Sequence, residues 1–176
     1  MLLRGNGVVL SKVRQEHWPL FMGWMQDEEI IRNVTDDVGR FRSPEDVAQF
    51  FIDNYKYPYG RLMVIEVKPK GKELTPVGYV SASGFDFKNR KCTMGCVLGD
   101  KSAVEAGLDA EAIQVFCRYL NKELGIHRVD IVIPSDDKAG NDMYQRAGFK
   151  REGVLRCFYF YGGCYHDVHI MSWMGE

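Results

Sequence analysis

Apolar side chains recur at helical spacings in several stretches of the chain. Trp18, Phe21, Met22 and Met25 lie three or four residues apart, which places them on one face of a helix. A second helix is predicted at Ser43, because this serine is followed by a proline and, three residues on, by a carboxylate. The predicted helices are Glu16–Met25, a short one followed by a loop in the polar segment Asp27–Val38, one that begins after Ser43, a long one from about Val104 to Leu124 that Gly125 ends, and one from Asp136 or Asp137 to Ala147. The buried stripes expected on the helix after Ser43 and on the long helix are Val47, Phe50 and Phe51, and Leu108, Ala112, Val115, Phe116, Tyr119 and Leu120.

Apolar and β-branched residues predict strands between these helices. Turn residues such as Gly162 and Gly163 separate the last two strands, and a charged stretch with two prolines, residues 68–76, predicts an exposed loop. The order of elements predicts an α/β (α+β) fold with a central mixed sheet of six to seven strands, about four helices on its two faces, and one domain over residues 1–176. The predicted strands are Val8–Leu10, Arg61–Val67, Val77–Phe85, Arg90–Leu98, His127–Ile133, Phe149–Phe160 and Tyr165–Trp173.

Composition narrows the classes of protein that fit this pattern. The chain has 176 residues and is 45% hydrophobic, which is enough apolar material for one core. Its 23 basic and 24 acidic residues give a net charge of -1, so the sequence lacks the basic surplus typical of nucleic-acid binding. The N-terminal sequence lacks a signal-peptide pattern and no apolar run reaches membrane-spanning length, which predicts a cytoplasmic protein with no membrane partner.

The cysteines and histidines do not form a metal-binding pattern. No Cys-x-x-Cys pair occurs among the five cysteines, and the four histidines have no partners at useful spacings, so no metal site is predicted. Because the cysteines lie in apolar segments, we expect buried thiols in a reducing compartment. The five are Cys92, Cys96, Cys117, Cys157 and Cys164.

The last third of the chain carries a specific motif. Tyr144, three further residues and then Gly148-Phe149 are followed by Glu152-Gly153 and Arg156. The pattern continues to Gly163, Tyr165, Asp167 and Met171, and the upstream segments Gly78-Tyr79 and His127-Arg128-Val129 keep its register. This run resembles the GNAT superfamily of N-acetyltransferases, in the branch of the spermidine and ribosomal-protein N-terminal acetyltransferases. The resemblance implies a mostly antiparallel sheet in which the fourth and fifth family strands are splayed apart.

The resemblance also implies a reaction. An acetyl group would pass from acetyl-CoA to a primary amine, such as a polyamine, an amino sugar or a peptide N-terminus, by direct attack and without a metal. Tyr144 occupies the position of the family's general acid, and a phenol with a pKa near 10 suits protonation of a departing thiolate whose pKa is about 8.5. The alternative is that Tyr144 only packs its helix onto the sheet.

The resemblance places the cosubstrate against three segments. Backbone groups of the fourth family strand would pair with the pantetheine arm, and amides that open the long helix would meet the diphosphate. The implied binding residues are Val97, Leu98 and Gly99 on the strand, Val104, Glu105, Ala106, Gly107, Leu108, Asp109 and Ala110 at the helix, and Asp137 and Lys138 ahead of Tyr144.

Three of these residues depart from the family pattern. Val104 replaces a Gln or Arg, Asp109 replaces a small residue and Asp137 replaces an Asn. A carboxylate at Asp109 is expected to repel a diphosphate, with Lys101 as a partial offset. These departures motivate an alternative function, a GNAT-fold binding or regulatory module with weakened or lost CoA binding.

The general base and the acceptor site are less specific. The position that commonly holds a Glu in the spermidine branch is Met94, which leaves Glu66, Ser83, Asp86 or a water chain as candidates. We expect the acceptor amine between the first two helices and the last strand pair, and the resemblance suggests a homodimer. Candidate acceptor segments are Asp27–Glu29, Asp36-Asp37, Tyr57–Gly60 and Phe158–Tyr161, each of which also fits an ordinary surface or core role.

Overall fold

A computed structural model of the protein describes residues 2–32, 41–67, 73–100 and 107–176. Within these residues the chain forms eight strands, five α-helices and one 3-10 turn, Gln15–His17. The helices are α1 (Trp18–Gln26), α2 (Glu28–Ile31), α3 (Pro44–Asn54), α4 (Leu108–Leu124) and α5 (Lys138–Arg146). The strands are β1 (Leu2–Arg4), β2 (Val8–Lys12), β3 (Arg61–Val67), β4 (Thr75–Asp86), β5 (Lys91–Leu98), β6 (Arg128–Pro134), β7 (Lys150–Tyr161) and β8 (Cys164–Met174).

All eight strands belong to one sheet, in the order β1-β2-β3-β4-β5-β6-β8-β7. The neighbours pair antiparallel except β5 and β6, which are parallel, so the prediction of a mixed and mostly antiparallel sheet is confirmed. The long helix α4 supplies the connection that a parallel pair requires.

The sheet has one strand more than the predicted maximum, because the chain begins with a hairpin. β1 pairs with β2 across a turn at Gly5, Asn6 and Gly7. The Glu111 carboxylate in α4 accepts hydrogen bonds from the backbone amides of Asn6 and Gly7, which anchors this turn. A three-residue strand held by a contact more than 100 residues away leaves no local pattern, and for that reason the sequence did not predict it.

Two apolar cores lie on opposite faces of the sheet. The larger core packs beneath α4 and α5 and includes Ala112, Phe116 and Tyr144. The smaller one packs beneath α1 and α3 around Phe21 and Phe51. Helices therefore cover both faces, as predicted, and the stripes expected on α1, α3 and α4 face these cores.

The helix ends follow local chemistry. Ser43 and Asp46 form the predicted capping box of α3, with Pro44 as its first residue. α4 begins at Leu108, four residues later than predicted, because Gly107 adopts a left-handed conformation (φ 72°) that a continuing helix excludes. Gly125 (φ 68°) ends the same helix, as expected. The segment Asp27–Val38, predicted as a short helix and a loop, contains α2, and its residues 33–38 lie outside the described residues.

The prediction of five buried thiols is wrong for two of them. Cys92 and Cys117 are buried and Cys96 is half-buried, whereas Cys157 and Cys164 are exposed. The last two lie on β7 and β8, and β7 is an edge strand with one unpaired side. Apolar neighbours in the sequence therefore did not imply burial at this edge.

Candidate active site

A gap opens in the middle of the sheet between β5 and β6. In the described part of the chain, the two strands pair only where Lys91, Cys92 and Thr93 face Arg128, Val129 and Asp130. Beyond these three pairs β5 continues to Leu98 and β6 to Pro134 with no ladder between them. The predicted splay is therefore present, and it exposes one backbone edge of β5.

The alternation of an antiparallel ladder decides which backbone groups of β5 face the gap. The Gly99 amide donates to the Val77 carbonyl at 2.8 Å, so residue 99 is bonded to β4. Because hydrogen-bonded pairs alternate, Val97 also turns its backbone groups toward β4, whereas Cys96 and Leu98 turn theirs toward the gap. Of the three strand residues predicted to bind the cosubstrate, Leu98 alone presents its amide to the gap.

Cys96 was not among the predicted site residues. The sequence does not show which alternate residues of β5 turn their backbone groups toward the gap. The backbone groups of residues 96 and 98 point to one side of the strand, and those of residues 97 and 99 point to the other. The side that faces the gap can be assigned only when one ladder bond is known, in this case the bond from Gly99 to Val77.

Tyr144 reaches across this gap from α5. Its ring is buried (5% exposed) and packs edge-on against Phe149, with centroids 5.2 Å apart. Its hydroxyl oxygen accepts a hydrogen bond from the backbone amide of Cys96. The phenol group thus lies against the free edge of β5 and not wholly among apolar side chains.

The environment keeps this phenol protonated. Burial raises the pKa of Tyr144 well above its usual value of 10, and the neighbouring Cys96 thiol adds to the rise. The hydrogen bond from the Cys96 amide opposes this rise in pKa without cancelling it. At neutral pH the Tyr144 phenol beside the gap is therefore protonated.

The Asp109 carboxylate, in the first turn of α4, does not lie where the sequence analysis expected it. The Asp109 carboxylate is fully buried and does not project ahead of the helix. It accepts two hydrogen bonds from the Arg146 guanidinium, at 3.2 and 2.9 Å. The offset expected from Lys101, which lies outside the described residues, is supplied by Arg146 at the end of α5.

The remaining predicted binding residues lie at two helix starts. Leu108 and Ala110 pack into the larger core beside Asp109, and Gly107 is the N-cap of α4. Asp137 caps α5 by accepting from the Gly140 amide at 3.0 Å, and the exposed Lys138 follows it. The predicted residues Val104, Glu105 and Ala106 lie outside the described residues.

Gly140, which is unfavourable inside a helix, has a structural reason. A Cβ at this position would lie 2.3 Å from an Asp137 carboxylate oxygen and 2.5 Å from Ile133. The glycine therefore makes room for the carboxylate that caps its own helix.

Four elements meet on the sheet face that carries α1 and α2. The Arg32 guanidinium and the His166 ring lie 3.7 and 3.8 Å from one Asp136 carboxylate oxygen. The Tyr159 hydroxyl donates to the Arg32 carbonyl at 3.4 Å, and its ring lies 5.1 Å from that of His166. We call these four residues the rim cluster. It adjoins the end of β6, where the gap is open.

The candidate bases lie away from the open end of the gap. Ser83 pairs with Thr93 at the closed end, and Asp86 lies farther in the same direction and bonds to Asn89. Glu66 lies on β3, two strands from β5, where its buried carboxylate accepts from Arg14 at 3.2 Å. None of these three candidates faces the gap.

Two features of the described residues concern the predicted absence of a metal and of a membrane partner. Over the four described ranges, no set of three or more His, Cys, Asp or Glu side chains is arranged to hold a metal ion. The helices in those ranges do not include one that combines the length and apolar character needed to cross a membrane.

Residues 8–150 match the family model described as "Acetyltransferase (GNAT) domain". The chain belongs to the GNAT acetyltransferase family. A relative from Bacillus subtilis (strain 168), the uncharacterized N-acetyltransferase YoaA, is 32% identical over 172 residues, which cover 97% of this chain and 95% of the relative. The sequence-based prediction of an acetyltransferase of this superfamily is thus confirmed.

Solved structures of two other GNAT enzymes share the fold. Spermidine N-acetyltransferase from Vibrio cholerae, in complex with CoA and spermine, superimposes with a TM-score of 0.84 at 15% identity, covering 97% of this chain and 96% of that one. RimL, the ribosomal L7/L12 alpha-N-protein acetyltransferase, in complex with CoA, gives 0.83 at 18% identity, covering 99% and 98%. Both enzymes come from the branch that the motif indicated.

Proposed function

We propose that this GNAT enzyme transfers the acetyl group of acetyl-CoA to a primary amine in the gap between β5 and β6. The observation that carries the proposal is the Tyr144 hydroxyl, protonated and hydrogen-bonded to the Cys96 amide beside the free edge of β5. Support also comes from the structural neighbours, whose names specify acetylation of spermidine and of a ribosomal protein.

The described residues fit a CoA-type cosubstrate. The Leu98 amide turns toward the gap and can pair with an extended amide-containing chain as a neighbouring strand would, whereas the Cys96 amide is engaged by Tyr144. The N-terminus of α4 provides amides and a positive helix end for a diphosphate, and the nearby Asp109 charge is paired with Arg146. This pairing offsets the repulsion expected from Asp109, which is one of the departures that motivated a CoA-free regulatory module.

We assign the binding roles by segment. Val97, Leu98 and Gly99 shape the edge of β5, and the start of α5 closes the far side. The proposed cosubstrate residues are Val97, Leu98, Gly99, Val104, Glu105, Ala106, Gly107, Leu108, Asp109, Ala110, Asp137 and Lys138, with Asp109 acting through its backbone.

In the proposed reaction, a backbone amide of β5 and the Tyr144 hydroxyl each have one role. Acetyl-CoA supplies a thioester whose C–S bond breaks as the amine nitrogen bonds to the carbonyl carbon. A gap-facing amide of β5 donates to the carbonyl oxygen as negative charge develops there. Tyr144 transfers its phenolic proton to the departing sulfur, and the attacking nitrogen passes one proton to water, from which the Tyr144 phenolate is reprotonated. No covalent bond to the protein forms.

The acceptor class that we propose is a primary amine presented from the side of the rim cluster. Two carboxylates, Asp136 and Asp137, lie together at the end of β6, and Asp136 is part of the rim cluster. A polyamine, an amino sugar and a peptide N-terminus all carry the positive charge that such carboxylates attract before the amine is deprotonated. A homodimer remains a prediction that measurement of the mass in solution would test.

Binding and turnover together test this function. We expect acetyl-CoA to bind with micromolar affinity by calorimetry, and thiol release to depend on one of the three amine classes. Tyr144→Phe should lower kcat by about 10²–10⁴-fold, the range of a positioned general acid, and leave acetyl-CoA affinity within about threefold.

The matched control is Tyr119→Phe. Tyr119 is also a buried tyrosine, but its hydroxyl accepts from Arg61 at 3.3 Å, away from the gap. This variant should keep its turnover. If Tyr144→Phe retains full turnover while folded, the assignment of the acid is wrong; if the unaltered protein does not bind acetyl-CoA, the proposed function is wrong.

A further inference from the structure

Asp109 is a buried charge at an unusual place. Its side chain is 0% exposed, and it occupies the second position of α4, within the turn whose amides an anion would meet. One carboxylate oxygen accepts from the Ala110 amide at 2.7 Å and from Arg146 at 3.2 Å, and the other accepts from Arg146 at 2.9 Å. An uncompensated carboxylate at this depth would be strongly unfavourable, so the guanidinium is required by the burial itself.

Arg146 joins this carboxylate to the helix of the proposed acid. It lies two residues after Tyr144 on α5, and its Nε also donates to Asp142 at 2.9 Å. The Gln114 side chain on α4 donates to the Arg146 carbonyl at 3.2 Å. Side chain and backbone of Arg146 therefore both tie α5 to α4.

The guanidinium also lies at the entrance of α4. A Cβ built on Gly107, the N-cap residue, would be 3.7 Å from an Arg146 terminal nitrogen. Positive charge thus stands at the helix end that must accept an anion, and it cancels the negative charge that the sequence places there.

We propose that Arg146 is a positioning residue with two effects: it neutralises Asp109, so that the first turn of α4 can accept a phosphate anion, and it holds Tyr144 in register with that turn. The inference rests on the proposed function. It assigns to the Asp109 side chain no contact with the cosubstrate, because both carboxylate oxygens are already engaged by the protein.

A double-mutant cycle tests the first effect. Arg146→Gln leaves Asp109 charged and unpaired, and should weaken CoA binding by about tenfold or more in calorimetry. Asp109→Asn in the Arg146→Gln background removes that charge and should restore CoA affinity to within about threefold of the unaltered protein. If the double variant binds CoA as weakly as Arg146→Gln, or if Arg146→Gln binds normally, the proposal is overturned.

The second effect is tested with the conservative variant. Arg146→Lys keeps the positive charge but loses the two-pronged geometry, so CoA affinity should stay near normal while kcat falls several-fold. An unchanged kcat in this variant would refute the positioning role. Asp142→Asn is the control, because it removes the exposed partner of Arg146 and leaves the pair with Asp109 intact, so both parameters should stay normal.

Chemical denaturation of the same variants separates this inference from the proposed function. Arg146→Gln should lower the denaturation midpoint, and Asp109→Asn in that background should recover part of the loss without any ligand present. Absence of this recovery overturns the inference even if the protein binds CoA. The unaltered protein could also fail to bind CoA while Asp109→Asn still restores stability in the Arg146→Gln background. In that case the proposed function is wrong, and so is the inference that Arg146 prepares α4 for a phosphate.

Discussion

Gly99 is predicted to be irreplaceable because the Trp24 indole packs directly on it. A Cβ at position 99 would lie 1.8 Å from the indole nitrogen and 2.1 Å from the adjacent ring carbon. Trp24 is itself confined by Phe21, 5.3 Å away edge-on, and by Tyr79, 6.4 Å away in a stacked arrangement. Gly99→Ala therefore forces either the indole or the end of β5 to move.

The size of the effect follows from these distances. Nonbonded heavy atoms rest at about 3.5–4.0 Å, so the indole or the strand must shift by roughly 1.5–2 Å. Overpacking of this kind typically costs about 1–3 kcal/mol of unfolding free energy. For a chain of this length that corresponds to a fall in Tm of about 2–12 °C. A shift of β5 also displaces the adjacent Leu98 amide, so acetyl-CoA affinity should fall as well.

Thermal unfolding and acetyl-CoA calorimetry on three variants measure this prediction. Gly23→Ala is the matched control: Gly23 adjoins Trp24 on α1, and apart from its chain neighbours and the backbone of its own helix no described heavy atom lies within 4 Å of its added Cβ. This control should gain about 0.5–1 kcal/mol from helix propensity. Trp24→Leu in the Gly99→Ala background should recover stability relative to Gly99→Ala alone. A Gly99→Ala protein as stable as the unaltered one, or a lack of recovery on shortening Trp24, would refute the steric reasoning.

Two further predictions concern titratable groups. Cys157 and Cys164 are exposed, whereas burial raises the pKa of Cys92 to about 12 and also raises the pKa values of Cys96 and Cys117. An aromatic disulfide reagent should therefore modify two thiols quickly, the half-buried Cys96 more slowly, and Cys92 and Cys117 only on unfolding. A third thiol that reacts as fast as the first two would contradict this prediction. Burial, together with the neighbouring Arg14, lowers the pKa of His17 below its usual value of 6.5. The folded state therefore binds fewer protons at this histidine than the unfolded state does. The free energy of unfolding should consequently fall as the pH drops from about 6.5 toward the pKa of His17 in the folded state. His17→Gln should flatten this acid limb in chemical denaturation at several pH values, and an unchanged pH profile would show that His17 does not cause it.

Local patterns in the sequence determined most elements of this protein. The three- and four-residue spacing in α1, the Ser43–Asp46 capping box and the glycine that ends α4 each act within a few residues, and all were predicted. The Tyr144 motif likewise identified the family, because its residues follow one another along α5, β7 and β8.

Contacts between distant residues were decided by the tertiary structure alone. Glu111 anchors the first hairpin across more than 100 residues, and Arg146 reaches Asp109 across 37. The direction of the Cys96 amide depends on which bond β5 makes to β4, and the exposure of Cys157 depends on the position of β7 at the sheet edge. Periodicity reports which side of an element a residue occupies. It contains no information about which other element packs there. The contact of α5 with α4 determined the charge at the start of α4, and the pairing of β5 with β4 determined which amides face the gap.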